Sequence, residues 1–319
     1  MTTPALVGDI GGTNARFALV EPGGFDLHSI ETLPCARYAG LTEAIQDYLR
    51  QVGAPAPAES CLAFACPVHE DWVKMTNNDW AFSKQAVAET LGLSTFKVIN
   101  DFTAQALGIP HVNADELVAI GEGEAEPRRP RLVMGPGTGL GMAGLVPSRH
   151  HWIPLSTEGG HATFAPTDAR ERELLDYFTA RYGRVSLERL LCGQGLLDLY
   201  LAHAALFGVT AHYNTPAEVT GAARAGDSIA REALLRFLKI LGDACGDAAL
   251  TLGALGGVYL CGGIVPRLTD WLPRSDFRRA FADKGRLSAY NAGIPTWVVT
   301  APWTGLLGAA EALHNEEVT

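Results

Sequence analysis

Two stretches of one design restrict the folds open to this chain more than any other feature. Residues 5–20 read Ala-Leu-Val-Gly-Asp-Ile-Gly-Gly-Thr-Asn-Ala-Arg-Phe-Ala-Leu-Val, and residues 131–146 read Arg-Leu-Val-Met-Gly-Pro-Gly-Thr-Gly-Leu-Gly-Met-Ala-Gly-Leu-Val. Each is an apolar run, a glycine turn and a second apolar run, which spells strand, turn, strand. Laid over each other without gaps, Leu6, Val7, Gly11, Leu19 and Val20 match Leu132, Val133, Gly137, Leu145 and Val146. The matches are few and of common residue types, so they suggest a duplicated hairpin without proving one.

Glycines bring a backbone close to a ligand and let a turn aim several N–H groups at one anion. Asp9, at the end of the first strand, can hold a hydrated cation beside that anion. Gly135 stands where Asp9 stands in the first copy. Two turns facing one ligand would therefore both offer backbone donors, and only the first a carboxylate. This content suits Mg²⁺-bound phosphate; an ordinary glycine hairpin is the alternative. Neither copy fits a P-loop, which needs a Lys-Ser/Thr pair after its last glycine. Gly137-x-Gly139-x-Gly141 is no dinucleotide fingerprint either, because a strand-like segment follows it.

A length of 319 residues favours two domains, and 47% hydrophobic content supports real cores. The net charge of -10 argues against a broad nucleic-acid or anionic-membrane surface. An acidic protein that binds phosphates needs local backbone donors and a metal to offset repulsion. Cysteines at 35, 61, 66, 192, 245 and 261 form no Cys-x-x-Cys pair and no zinc spacing, as expected of buried thiols in a reducing cytosol. The start, Met-Thr-Thr-Pro, lacks the features of a signal peptide. Residues 248–266 are uncharged and long enough to span a bilayer, but five glycines break them. They read as a helix end, a glycine stop, a buried strand and another glycine turn, so a soluble, cytoplasmic protein is expected.

Along the chain, helices are expected over 41–52, 83–91, 171–182, 186–204, 215–225, 228–252 and 304–314. Strands are expected at 61–65, 96–99, 258–261 and 297–299, with loops at 75–80 and 121–131. Strands alternating with helices mean a mostly parallel sheet that binds ligands at the strands' carboxyl ends.

Gly8-Asp9-Ile10-Gly11-Gly12-Thr13-Asn14, Asn100-Asp101-Phe102, Gly137-Thr138-Gly139, Glu158-Gly159-Gly160-His161 and Cys261-Gly262-Gly263 resemble, in that order, the motifs of bacterial ATP-dependent glucokinases. The likeness covers nearly the whole chain and is strongest to the proteobacterial type. Related sugar kinases and repressors add a Cys-rich zinc motif after Glu-Gly-Gly-His; here Ala-Thr-Phe-Ala-Pro-Thr follows, so no structural zinc is expected. The resemblance implies an α/β protein of the duplicated ribonuclease-H-like (actin-like ATPase) fold, with two domains around a central cleft. The small domain would comprise 1–111 plus 301–319 and the large one 112–300. ATP would lie in the cleft with the sugar deeper in it.

The same resemblance makes Asp101 the catalytic base and Asn100, Glu158, His161 and Glu188 the sugar-binding set. Pyranose hydroxyls both donate and accept, which calls for carboxylates mixed with an amide and an imidazole. It gives Gly11, Gly12, Thr13, Asn14, Gly137, Thr138 and Gly139 to the phosphates and Gly262 and Gly263 to the adenine–ribose portion. Asp9 would orient Mg²⁺ through water. Read on their own, several of these residues have other uses. Asp101 makes a good helix N-cap, and Glu188 sits where Ser186 can cap a helix. Gly262-Gly263 can serve packing, Glu158 and His161 can ligate a metal, and Asn77 and Asn78 suit either sugar contact or a plain loop. Lys97 and Arg16 read as surface charges or pair partners rather than phosphate ligands. The implied activity is transfer of the γ-phosphoryl of ATP to the 6-hydroxyl of D-glucose, with Mg²⁺ and in a homodimer. Kinases of fructose, mannose or an N-acetylhexosamine, and a non-catalytic sugar sensor of the same fold, are the alternatives.

Overall fold

The structure, a computed structural model, describes residues 3–318. It opens with β1 (Ala5–Ile10), β2 (Asn14–Val20), β3 (His28–Pro34), α1 (Leu41–Val52), β4 (Glu59–Phe64), β5 (Trp72–Lys74) and β6 (Ala81–Ser83). Next come α2 (Lys84–Leu91), β7 (Thr95–Asn100), α3 (Asp101–Gly108), β8 (Leu117–Ala119), β9 (Arg131–Pro136), β10 (Leu140–Pro147) and β11 (Trp152–Thr157). The helical stretch follows: α4 (Ala169–Tyr182), α5 (Leu187–Leu190), α6 (Gly193–Leu206), α7 (Pro216–Ala225) and α8 (Ser228–Leu252). The chain closes with β12 (Val258–Leu260), α9 (Phe277–Ala282), α10 (Ser288–Ala292), β13 (Thr296–Val299) and α11 (Thr304–His314).

One sheet has the order β3-β2-β1-β4-β7, and a second has β11-β10-β9-β12-β13-β8. In the first, β1 pairs antiparallel with β2 and parallel with β4, and β4 pairs parallel with β7. In the second, β9, β12 and β13 run parallel, and β8 adds an antiparallel edge. Three consecutive strands from each glycine hairpin, followed by two more strands in the same places, make the order of one sheet the order of the other. This is the ribonuclease-H-like unit carried twice, the actin-like ATPase fold.

By internal compactness the chain forms two units. The first runs to Glu116 and includes Gly144–Ser156 and the chain from Ala301 on; the second is Leu117–Ala143 with Thr157–Thr300. The first unit thus extends past position 111 and takes in 144–156, a stretch that the family resemblance places in the larger domain.

In the first unit, α1 buries Leu41, Ala44, Ile45, Tyr48 and Leu49, one stripe at helical spacing, over β1, β2 and β4. Gly53 stops the helix with a left-handed φ of 65°. The tightest packing is between α3 and α11. A Cβ on Gly308 would lie 1.7 Å from the Ala104 carbonyl oxygen, and one on Gly108 would lie 2.1 Å from that of Thr304. Lys97, expected at the surface or in an ion pair, instead donates its ammonium to the carbonyls of Ala312, Asn315 and Val318 and ties down the end of α11.

In the second unit, α8 runs through the core and carries Phe237, Leu238 and Leu241. Gly242 and Gly246 let it press on the Phe277 and Phe281 carbonyls of α9, where a Cβ would come within 2.2 and 2.4 Å. Its buried Lys239 is held between Glu171, at 2.6 Å, and Asp243, at 2.7 Å. The helix expected over 186–204 is two, broken at Leu191–Cys192. The Gly193 N–H goes to the Gly137 carbonyl instead of continuing the ladder of α5, and the Cys192 thiol caps α6 by accepting from Gly195 N at 3.3 Å. Strands β3, β5, β6, β8 and β11 had no sequence signal, being short or partly exposed. Within 248–266, Gly253 stops α8 before β12, and among the described residues no helix is long and apolar enough to cross a membrane. All six cysteines are buried and unbridged.

Gly308→Ala should destabilise the protein by about 3 kcal/mol or more, the upper end of overpacking costs, because the obstacle is backbone and cannot swing aside. Denaturant unfolding would register this; an unchanged midpoint would mean that α3 and α11 do not cross at these glycines.

Candidate active site

The first glycine turn is shaped from below. Gly11 N donates to Asn14 O at 2.9 Å, leaving Gly12 and Thr13 at the tip. Two turn carbonyls are taken by one residue: Cys35 N donates to Thr13 O at 2.9 Å, and the Cys35 thiol donates to Gly11 O at 3.5 Å. Burial pushes the thiol pKa up, so the thiol keeps its proton and remains a donor. A trans peptide points its C=O and the following N–H in opposite directions. The N–H groups of Gly12 and Asn14 therefore face away from Cys35. Gly12 has no room for a side chain, since a Cβ would meet Asn77 Cβ at 2.6 Å and Asn77 O at 3.0 Å. Asn77 thus walls this turn, and Asn78 bends the same loop by accepting from Trp80 N at 2.8 Å.

Asp9 lies at the end of β1, opposite Arg16 in the β1–β2 register, and its Oδ2 is 3.3 Å from the Arg16 guanidinium. Arg16 is therefore a pair partner, as expected. Burial raises the Asp9 pKa above the ordinary 3.8, and Arg16 opposes that rise. Gly305 of α11 sits beside the carboxylate, where a Cβ would come within 3.2 Å of Asp9 Cγ and Oδ2.

At the carboxyl end of β7 the cap of α3 is Asn100, not Asp101. Asn100 Oδ1 accepts from Phe102 N at 2.9 Å and Thr103 N at 3.3 Å, which leaves its amide NH₂ as the end that can donate to a ligand. Asp101 occupies the first helical position, where the helix macrodipole favours negative charge, and its Oδ1 also accepts from Phe102 N at 2.9 Å. Its charge and, more strongly, burial push the Cys66 thiol up to about 11. Thr103 bonds Ser156 at 2.6 Å and so ties α3 to the strand leading into Glu158.

In the second unit, Gly137 N donates to Gly139 O at 2.8 Å, and Thr138 stands exposed at the tip. Glu158-Gly159-Gly160-His161 forms a short 3-10 turn laid on β10. A Cβ on Gly160 would be 2.1 Å from Leu140 O, and one on Gly159 would be 2.3 Å from Met142 Sδ. The glycine pair thus serves close contact with the strand and presents Glu158 and His161 at its two ends. Glu188, on α5, accepts from Leu140 N at 2.9 Å through Oε2, and its Oε1 is 3.9 Å from His161 Nε2. Ser186 holds the N-cap position of α5 without a side-chain cap bond. Arg184, which no motif singles out, steadies the turn by donating to His161 O at 2.7 Å and Thr163 Oγ1 at 3.1 Å.

Beyond β12, Gly262 has φ of 83°, and a Cβ there would lie 2.7 Å from Pro136 O, so it serves packing against the end of β9. Gly263 faces open space. Among the described residues no group of three or more His, Cys, Asp or Glu is placed to hold a metal ion, so Glu158 and His161 have no third ligand. Cys35 and Arg184 are the supporting residues that sequence reading missed. Neither carries a sequence signal, since the strand before Cys35 is itself short of one and Arg184 acts on a main-chain carbonyl.

A family model described as glucokinase matches residues 6–316. A glucokinase of Chromohalobacter salexigens is 74% identical over 319 residues, covering 100% of both chains. The crystal structure of a glucokinase from an Antarctic psychrotroph superposes with a TM-score of 0.91 at 38% identity, covering 99% of this chain and 100% of that one. A ROK-family glucokinase from Streptomyces griseus, solved with glucose and AMPPNP, shares the fold with a TM-score of 0.65 at 18% identity, covering 98% and 99%. The chain belongs to the glucokinase family, and it is an ATP-dependent hexose kinase.

Proposed function

We propose that Asp101 is the base through which this chain passes the γ-phosphoryl of ATP to the 6-hydroxyl of D-glucose. The observation that carries the reading is the division of labour at the start of α3. Asn100 Oδ1 accepts from both Phe102 N and Thr103 N, while the Asp101 carboxylate, which takes Phe102 N through Oδ1, follows directly on a parallel strand. The O6 hydroxyl attacks the γ-phosphorus while its proton passes to Asp101, the bond to the β-phosphate oxygen breaks, and glucose 6-phosphate and ADP leave. Phosphoryl transfer is largely dissociative, so positioning and electrostatics carry most of the rate.

Asn100 through its amide, with Glu158, His161 and Glu188, orients the hexose. The N–H groups of Gly12 and Asn14 hold phosphate oxygens from one turn and those of Thr138 and Gly139 from the other, while the N–H groups of Gly11 and Gly137 are spent within the turns on Asn14 O and Gly139 O. Gly263 lies against the adenine–ribose portion, with Gly262 setting the strand end beneath it. Asp9 fits a water-mediated Mg²⁺, a hard cation that takes one or two carboxylates plus phosphates rather than a protein cage. Gly305 leaves that carboxylate its space. Bound with ATP, Mg²⁺ would offset phosphate charge during transfer. The buried, unbridged thiols accord with a reducing cytoplasm. A glycolytic role and a homodimer complete the proposal.

Asp101→Asn should lower kcat by about 10²–10⁴-fold, the range of a general base, with much less loss of glucose affinity. Turnover at the parent rate would remove Asp101 from the mechanism. Across a hexose panel with Mg²⁺-ATP, ADP release should be well above fructose and N-acetylglucosamine levels on glucose; equal rates would reassign the substrate. The third outcome concerns pH. Arg16 lowers the pKa that burial raises at Asp9, so Arg16→Met lets it climb further and shrinks the ionised fraction in mild acid. The acid limb of kcat/KM for Mg²⁺-ATP should move to higher pH, and a limb that stays put or moves down would uncouple Asp9 from nucleotide use.

A further inference from the structure

Gly139 belongs to a turn that sequence reading gives wholly to phosphate, yet its surroundings concern something else. Its backbone does not require glycine, because its φ lies outside the left-handed region. The three nearest atoms to a Cβ built there all belong to Glu188: Oε2 at 2.5 Å, Cδ at 3.3 Å and Cγ at 4.0 Å. That same Oε2 accepts the N–H of Leu140, the next residue, at 2.9 Å. The C=O of Leu140 lies against Gly160, in the turn that carries Glu158 and His161. The other end of the glycine turn is pinned by Gly193 N donating to Gly137 O at 2.9 Å. Leu140 therefore touches Glu188 with its N–H and the Glu158–His161 turn with its C=O, directly after the phosphate loop.

We infer that Gly139 is a positioning residue for the sugar-binding carboxylate of Glu188, and that Leu140 couples phosphate binding at the 137–139 turn to hexose binding. The inference rests on the proposed role of Glu188 toward glucose. A phosphate that draws on the N–H groups of the turn shifts Leu140 N, and with it the carboxylate. A hexose that orders the carboxylate fixes the turn in return. Such coupling is reciprocal: each ligand changes the affinity of the other by the same factor.

The test uses the intact protein and calorimetric titration of glucose and of AMPPNP, each alone and in the presence of the other. Gly139→Ala meets only the end of a flexible side chain, so it should fold with a parent-like melting temperature. It should weaken glucose binding in nucleotide-free protein by about 10-fold, roughly 1.4 kcal/mol, and weaken AMPPNP binding in sugar-free protein by a clearly smaller factor, because alanine keeps the backbone N–H proposed for phosphate. The factor by which AMPPNP changes glucose affinity should fall toward one. Glucose affinity within 2-fold of the parent, with AMPPNP affinity lost, would overturn the inference and return Gly139 to phosphate alone. Glu188→Gln keeps an oxygen for Leu140 N and serves as the separate arm. If it bound glucose as the parent does, the sugar role of Glu188 would fall, and the inference with it. If Glu188→Gln lost glucose affinity while Gly139→Ala kept it, only the positioning role of Gly139 would fall. Gly139→Ala and Glu188→Gln should also be non-additive in glucose affinity, since both act on one carboxylate; additive losses would count against the inference.

Discussion

Helices α3 and α11 meet backbone to backbone, and the candidate chemistry of the first unit hangs on that contact. With no side chain at Gly108 or Gly308, the helices approach as closely as main-chain atoms allow. The start of α3 carries Asn100 and Asp101, and the second residue of α11, Gly305, lies against Asp9. One crossing thus sets two carboxylates, Asp9 on β1 and Asp101 at the start of α3. Interiors packed this densely transmit displacement rather than absorb it. A shift at the crossing would move the proposed base and the proposed cation ligand together. Lys97 holds the far end of α11 through three carbonyls, so the helix is fixed at both ends.

The two glycine turns reach similar shapes by different supports. The first has its carbonyls drawn down by the amide and thiol of Cys35, which turns the N–H groups of Gly12 and Asn14 outward. The second has the Gly137 carbonyl drawn by Gly193 at the start of α6 and its far side held by Glu188. A duplicated fold preserved the hairpin, while the parts beneath it came from unrelated segments. The asymmetry follows the chemistry proposed for each: the first turn stands beside a carboxylate suited to a cation, and the second beside one directed at sugar.

How much of this could be read from the chain depends on where each constraint lies. Helices α1, α8 and α11 were legible to the residue because stripe and stop are both local: α1 ends at Gly53 and α8 at Gly253, each in the left-handed region. The break between α5 and α6 was not, because its cause is a long-range bond from Gly193 to Gly137. Asp101 illustrates the same limit. Asn100 and Asp101 are both good capping residues, and only coordinates show which accepts the amides of both Phe102 and Thr103. The motif residues themselves were visible. Their supports, Cys35 and Arg184, were not, because a main-chain carbonyl can be held by almost any donor and so leaves no pattern of residue types.

The charge balance explains why the turns are built from glycine. A chain of net charge -10 that takes a polyphosphate would gain from lysines or arginines at the site. Two cations close in sequence to the first unit's motifs are committed elsewhere, Arg16 to Asp9 and Lys97 to the carbonyls of α11. What remains is the peptide N–H, a partial charge that needs no counter-ion and keeps its direction. Fixed dipoles cost little reorganisation as charge builds on the transferred group, whereas a flexible ammonium must be ordered first. That advantage exists only while the carbonyl of each peptide is held on the opposite side. Cys35 and Gly193 do the holding, and in the proposed site they would matter to phosphate without pointing at it.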